Sequence, residues 1–195
     1  MRRTGKGVEA GFTLVELMTV LLIMGILLGI AIPSFFGATN TANDRSAQAD
    51  LNTTLTDLKA IYMTGGGPYP PIAQVLSALA IDEPNLSFGD TTSSTGPLSI
   101  EVFQVLSVAS LNDDQGMVIA AWSNSGYCWV AADIEAHPTE NSGWWYDTSG
   151  PWGTPNPGVY YGVFNLGASD CFAGLPGALP PALFSSWVSS GFPPE

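Results

Sequence analysis

Between Phe12 and Ile32 the chain reads FTLVELMTVLLIMGILLGIAI, 21 residues with a single charge, Glu16. Coiled as an α-helix, this segment is about 31 Å long, against a bilayer hydrocarbon core of about 30 Å. A secretory signal peptide has a shorter apolar run, about 7–15 residues, with its small-x-small cleavage site after the run. Here the run is longer, and the small residue, Gly11, stands before it. Arg2, Arg3 and Lys6 also precede the run, and the positive-inside bias keeps such a flank in the cytoplasm. The reading is a single-pass anchor with everything after Pro33 on the far side of the membrane.

Composition removes several other classes. The chain holds five basic and 17 acidic residues. Without residues 1–11, 16 acids face only Arg45 and Lys59, a formal charge of −14. A body so acidic repels phosphate backbones, so direct nucleic-acid binding is not expected. With 46% apolar and 11% charged residues, the chain is not of the disordered class. One His and two Cys exclude multi-cysteine zinc sites and two-histidine metal motifs, and no cofactor or metal is expected. His137 stands beside Pro138 with no activated Ser or Cys in view, and no G-x-S-x-G, H-E-x-x-H or P-loop pattern occurs. Asp113, Asp114 and Gly116 lack the spaced oxygen ligands of a calcium loop and read as a solvated turn. The chain is therefore expected not to be an enzyme. Among the aromatic residues, Trp129, Trp144, Trp145 and Tyr160 fall in expected strands, while Trp152, in a loop, is the one expected to be exposed.

Glu16 is the anomaly. A charge inside a membrane helix costs about 2.5–3.5 kcal/mol on insertion scales, less near an end. The apolar span offers it no partner. Were the chain cut after Gly11, the new ammonium of Phe12 would lie four residues, or about 6 Å, along the same helix. That spacing allows an ammonium on one copy to meet the carboxylate of a staggered neighbour. At 4 Å and an effective dielectric near 20 the pair attracts by about 4 kcal/mol, comparable with the insertion cost. The alternative is a carboxyl at the membrane edge that stays hydrated or protonated.

A basic leader, Gly11, then Phe12-Thr13-Leu14-Val15-Glu16-Leu17 resembles the class III leader and N-methylation signature of type IV prepilins and type II secretion pseudopilins. The likeness runs through the span to Pro33, where family members commonly carry proline. It implies that a prepilin peptidase cuts between Gly11 and Phe12 and N-methylates Phe12. It further implies that Glu16 registers the next subunit's N-terminus, with Phe12 and Pro33 part of the assembly helix. Its partners would be further copies and other pilins, the peptidase, a cytoplasmic ATPase, a membrane platform protein and, before assembly, membrane lipid. The chain would wait in the cytoplasmic membrane and then move to a cell-surface filament. Two other readings stand beside the pilus subunit: a pseudopilin, and a tethered binding or adhesive protein that never polymerises and uses the Trp152 loops. Gly25 and Gly29 form a G-x-x-x-G that permits close helix approach, or, with Pro33, a segment that stretches on packing.

Beyond Pro33 a polar helix is expected to Met63, with Leu51, Leu55, Leu58 and Tyr62 as its packing stripe and Gly65-Gly66-Gly67-Pro68 as its stop. Pro71–Ile81 carries a short helical stripe, Ile72, Val75, Leu76 and Leu79. Strands follow at 98–108, 117–123, 127–134, 144–147 and 159–165, with turns at 111–116 and 124–126. The fold class is α+β: a long N-terminal helical spine packed on one face of an antiparallel meander, which the resemblance also implies. The organisation is a leader at 1–11, a transmembrane and assembly helix at 12–32, an exported helical half at 33–63, a body at 64–175 and a proline-rich tail at 176–195. Cys128 and Cys171 lie outside the cytoplasm in this topology, where a bridge forms more readily than free thiols persist. Closing that loop would stabilise the body by about 3–4.5 kcal/mol in the chain-entropy model. The tail's apolar patch, Leu183-Phe184 and Trp187-Val188, packs either on the sheet or on a neighbouring copy.

Overall fold

The computed structural model describes residues 11–90, 93–105, 116–135, 157–165, 171 and 188–193. It divides into two units, one ending at Thr39 and one beginning at Asn40, and a helix, α1 (Leu14–Gly65), contributes to both.

In the first unit α1 is apolar on every side, and its side chains from Leu14 to Phe36 are exposed. A helix on the surface of a soluble domain buries one stripe and leaves the rest polar. Among the described residues α1 is the one helix long and apolar enough to cross a membrane. Pro33 lies inside it without ending it, although its ring removes one backbone donor. The Ser34 hydroxyl donates to the Ala31 carbonyl at 3.0 Å. A Cβ on Gly25 or Gly29 would meet nothing within 4 Å, so neither glycine serves a close approach to another of the described residues.

In the second unit the same helix becomes one-sided. Ala47, Leu51, Leu55 and Leu58 are buried at helical spacing, as expected of the leucine stripe, with Asp44, Gln48 and Thr54 buried alongside them. Each fully buried leucine stabilises by about 2 kcal/mol relative to exposure. Tyr62 is half-buried and packs on Tyr69, ring centroids 5.1 Å apart. Gly66, at φ +71°, turns the chain into the left-handed region just past the last helical residue, a conformation that costs glycine little. α2 (Ile72–Asp82) follows, burying Val75 and Leu79.

Five strands form one sheet in chain order: β1 (Ser87–Gly89), β2 (Ser99–Val105), β3 (Gly116–Trp122), β4 (Cys128–Ile134) and β5 (Gly158–Phe164). β2 to β5 are the expected antiparallel meander. β1 corrects that reading, because it pairs with β2 in parallel. Three residues are too few for alternation to register in the sequence, and the pairing is opened by a long-range bond from the Ser87 N–H to the Leu98 carbonyl at 2.8 Å. Leu98 itself lies outside β2 and is exposed, contrary to the strand expected from position 98. The helix-side row of β2 is Ile100, Val102 and Gln104. Gln104, which interrupts that apolar row, donates through Nε2 to the Pro70 carbonyl at 3.2 Å and so binds the α1–α2 turn to the sheet. In the β3–β4 turn, Gly126 adopts φ +104° while its N–H donates to the Ser123 carbonyl at 3.0 Å.

The helix-side core joins Leu51, Leu55 and Leu58 to Ile100, Val102, Ile119 and Trp129. The opposite sheet face is buried as well, through Val118, Ala120, Val130, Ala132, Ile134 and Phe164. Its legible trace is in β3, whose GMVIAAW run lacks polar alternation because both faces are covered. The expected strand at 144–147, the turn at 111–115, and His137, Trp145, Trp152, Leu183, Phe184 and Trp187 lie outside the described residues.

Candidate functional site

Gly11 and Phe12 precede the first turn of α1, and Phe12 is 82% exposed. Thr13 caps the helix. Its hydroxyl oxygen accepts the Glu16 N–H at 3.3 Å, while the Thr13 N–H and hydroxyl both donate to Glu16 Oε2, at 3.0 and 2.7 Å. This reciprocal pattern is a capping box, Thr-x-x-Glu, which satisfies backbone donors otherwise orphaned at a helix start. It corrects one expectation. Glu16 is not without a mate in its own chain, because the residue three positions earlier holds it. The Thr-x-x-Glu spacing is readable in the sequence, but the partner is a neutral hydroxyl rather than an opposite charge. Both bonds fall on one oxygen, and a carboxylate has about four acceptor positions, so the group is oriented without being saturated. The anchor therefore presents an exposed carboxylate at the helix N-terminus, with Phe12 immediately before it.

The body holds three further polar groupings, each joining segments far apart in sequence. Asp44, on the first buried turn of α1, accepts the Trp129 Nε1–H at 2.9 Å through Oδ1, and the Ser125 hydroxyl donates to the same oxygen. This ties the β3–β4 turn and the largest fully buried side chain of the core to the helix. Ser94, fully buried, donates through its hydroxyl to the Ser99 carbonyl, accepts the Trp122 N–H at 2.7 Å, and donates its own N–H to the Cys171 carbonyl at 3.0 Å. Cys171 is disulfide-bonded to Cys128, Cα atoms 5.4 Å apart. The loop before β2, the end of β3 and the Cys171 backbone thus meet at one hydroxyl and one sulfur bridge. At the other end of the sheet, Tyr69 donates to Asp133 Oδ2 at 2.9 Å, and Lys59 Nζ lies 3.6 Å from Asp133 Oδ1. The C-terminal segment returns to the sheet as well. Val188 and Tyr161 exchange backbone hydrogen bonds, and Phe192 packs edge-on against Trp129 at 5.6 Å. Of the expected tail patch, then, Val188 lies on the sheet. Ser94, Ser125 and Phe192 left no sequence signal, because each acts through a contact that only folding creates.

Three carboxyls of the body are held above their ordinary values, chiefly by burial. Burial first, and then repulsion from Glu83, raises the Asp50 carboxyl above its ordinary value. Burial, then Glu83 and Asp82, does the same for Asp57. Glu135 is raised chiefly by burial and by its neighbour Asp133, opposed by Lys59. A carboxyl raised in the folded state binds protons more tightly there than in the unfolded chain. Its contribution to stability is thus fully present below the ordinary carboxylate pKa and is lost as pH rises through the raised value. The body is expected to melt at higher temperature near pH 4, the ordinary carboxylate range, than near pH 8. Thermal unfolding by near-UV circular dichroism across that range checks this, and a flat or rising profile would contradict it.

The fold and the capped apolar helix together define a pilin-like α+β chain whose N-terminal helix is, among the described residues, the one long and apolar enough to cross a membrane. Residues 7–32, which include Gly11, Phe12 and Glu16, match the family model described as the prokaryotic N-terminal methylation motif. The chain is 34% identical over 71 residues to the type II secretion system core protein G of Aeromonas hydrophila, covering 36% of this chain and 49% of that one. It is 33% identical over 86 residues to the protein of the same name from Escherichia coli (strain K12), covering 44% and 57%. With the type IV narrow pilus major component PilA5 of Thermus thermophilus it shares 42% identity over 52 residues, covering 27% and 41%. The chain thus spans about half the length of the curated relatives it matches. No solved structure matches it.

Proposed function

We propose that the chain is a non-enzymatic structural subunit of a type IV pilus-like filament, processed by a prepilin peptidase between Gly11 and Phe12, N-methylated on Phe12, and polymerised through α1. The observation that carries this reading is the pairing of an all-round apolar helix surface with a helix-capping carboxylate beside the cleavage position. In lipid the apolar face is solvated by acyl chains. In a filament it would be solvated by the same face of other copies, and the ammonium of Phe12 would supply the charge that Thr13 cannot. The N-terminal basic flank supports an orientation with the helix in the cytoplasmic membrane and the body outside. Before assembly the segments act as leader (1–11), transmembrane helix (12–32), exported helix (33–63), body (64–175) and tail (176–195). An assembly ATPase and a membrane platform protein are the machinery this role requires.

A second reading has a specific observation in its favour. Two of the relatives named above are type II secretion system core proteins, so the same helix would serve a short pseudopilus for protein secretion. One experiment tests both. Mass analysis of sheared cell-surface material is expected to yield a chain beginning at N-methylated Phe12. The same species confined to the envelope would favour the pseudopilus, and a native chain retaining residues 1–11 would sink both.

A further inference from the structure

The sequence holds two N-x-[ST] tripeptides, Asn52-Thr53-Thr54 and Asn85-Leu86-Ser87. In an exported chain such a tripeptide is an acceptor for an N-linked oligosaccharide. Both asparagines are exposed, so exposure alone does not choose between them. The hydroxyl two residues on chooses, because a transferring enzyme takes hold of carboxamide and hydroxyl together. Asn52 lies in the interior of α1, where residues two apart do not face each other. Thr54 is accordingly turned into the core, fully buried, with its hydroxyl donating to the Asp50 carbonyl at 2.8 Å. Reaching that site would mean unwinding the helix beside the buried Leu51 and Leu55.

Asn85 stands in a different setting. Glu83-Pro84-Asn85-Leu86 is a turn joining α2 to β1, closed by the Leu86 N–H, which donates to the Glu83 carbonyl at 3.1 Å. Proline at its second position has the fixed φ such a turn requires. Leu86 is half-buried and packs on the helix-side core, while Asn85 and Ser87 on either side of it are exposed. In an extended segment residues two apart lie on the same side, so the turn presents carboxamide and hydroxyl together. Ser87 opens β1, the strand at the edge of the sheet. Among the described residues neither the Asn85 side chain nor the Ser87 hydroxyl is engaged in a hydrogen bond.

We propose that Asn85 is an N-glycosylation site, a reading that rests on the export of the body proposed above and not on polymerisation. The Asn85 amide nitrogen attacks the anomeric carbon of an oligosaccharide carried on a polyprenyl diphosphate. A nitrogen–carbon bond forms, the carbon–oxygen bond to the diphosphate breaks, the diphosphate leaves with the electron pair, and the amide gives up one proton. The attached sugar would stand near the end of α2, where Ile81 is 78% exposed, and near Leu98, 56% exposed, whose carbonyl accepts the Ser87 N–H. A bulky hydrated group at this turn covers apolar side chains that the fold leaves in water.

The test is the intact mass of the full chain purified from the cell that makes it, followed by fragmentation of its peptides with the sugars left in place. The processed chain is expected to exceed its sequence mass by a whole number of sugar residues, with the fragments placing that surplus on Asn85. Asn85→Gln and Ser87→Ala are each expected to lose it. Ser87→Thr, which preserves the tripeptide, and Asn52→Gln, which removes the other one, are expected to keep it. A processed wild-type chain whose Asn85 peptide carries no sugar overturns the proposal and leaves the filament reading standing. A surplus unchanged by Asn85→Gln, or placed on Asn52 with Asn85 bare, overturns it as well. Sugar on Asn85 of a chain that still retains residues 1–11 would uphold the acceptor and count against the filament reading instead.

Discussion

Replacing Glu16 by alanine is expected to leave the chain exported and its leader removed, yet to abolish its appearance in filaments. The residue carries the one charge in the 21-residue span. Its removal makes the membrane-embedded monomer more comfortable in lipid by about 2.5–3.5 kcal/mol, or somewhat less this near the end. In the proposed filament the same change would delete the acceptor for a neighbour's Phe12 ammonium, whose attraction at contact distance is about 4 kcal/mol. Both effects push the subunit toward the bilayer and away from the fibre, and together they exceed four factors of ten in equilibrium. Loss of the capping box adds a smaller local fraying, because Thr13 N–H and hydroxyl then lose the partner they share at Oε2. Glu16→Gln separates the contributions, since it keeps an acceptor for Thr13 but no charge for the neighbour. Immunoblots of sheared and membrane fractions, with N-terminal mass, provide the measurement. Fibres at wild-type level from Glu16→Ala would end the role assigned to this carboxylate.

Truncating Trp129 should have the largest effect on the body. Its side chain is fully buried, its Nε1–H reaches Asp44 of α1, and its ring carries Tyr127 and the C-terminal Phe192. Tryptophan-to-alanine changes in cores cost about 3–5 kcal/mol. Asp44, itself buried, would also lose one of the donors on Oδ1, a further cost of about 1–3 kcal/mol. Small domains are stable by only about 5–15 kcal/mol, so Trp129→Ala is expected to leave the body largely unfolded at physiological temperature. Trp129→Phe keeps most of the ring and loses the hydrogen bond, and should fall between. Urea unfolding of the detergent-solubilised chain, followed by near-UV circular dichroism, measures both. A loss below about 1 kcal/mol in Trp129→Ala would show that the node does not hold helix and sheet together.

Where a role depends on spacing along one element, it could be read in advance. The apolar span, the leucine stripe at positions 51, 55 and 58, the glycine stop, α2 and the four antiparallel strands all follow from periods of 3.6 and 2 residues interrupted by turn formers. The Thr13–Glu16 box belongs to the same kind of signal, although its partner carries no charge. β1 escaped because three residues show no period, and its parallel pairing depends on the chain having already returned through the loop before β2. Burial of the sheet's second face was foreshadowed by the unbroken apolar run of β3, while its membership was not.

By itself the amino-acid order determined which segment is long and apolar enough to cross a membrane, which residue is charged there, and the order of helix and strands, because these depend on neighbours within a turn or two. The tertiary structure alone decided that Asp44 meets Trp129 and Ser125, that Ser94 gathers β2, β3 and Cys171, that Phe192 closes on the core, and that Arg45 is the base without a carboxylate among the described residues. Those contacts span up to 85 residues, and their energies exist only once hydrophobic burial has brought distant segments together and excluded the water that would otherwise satisfy each polar group.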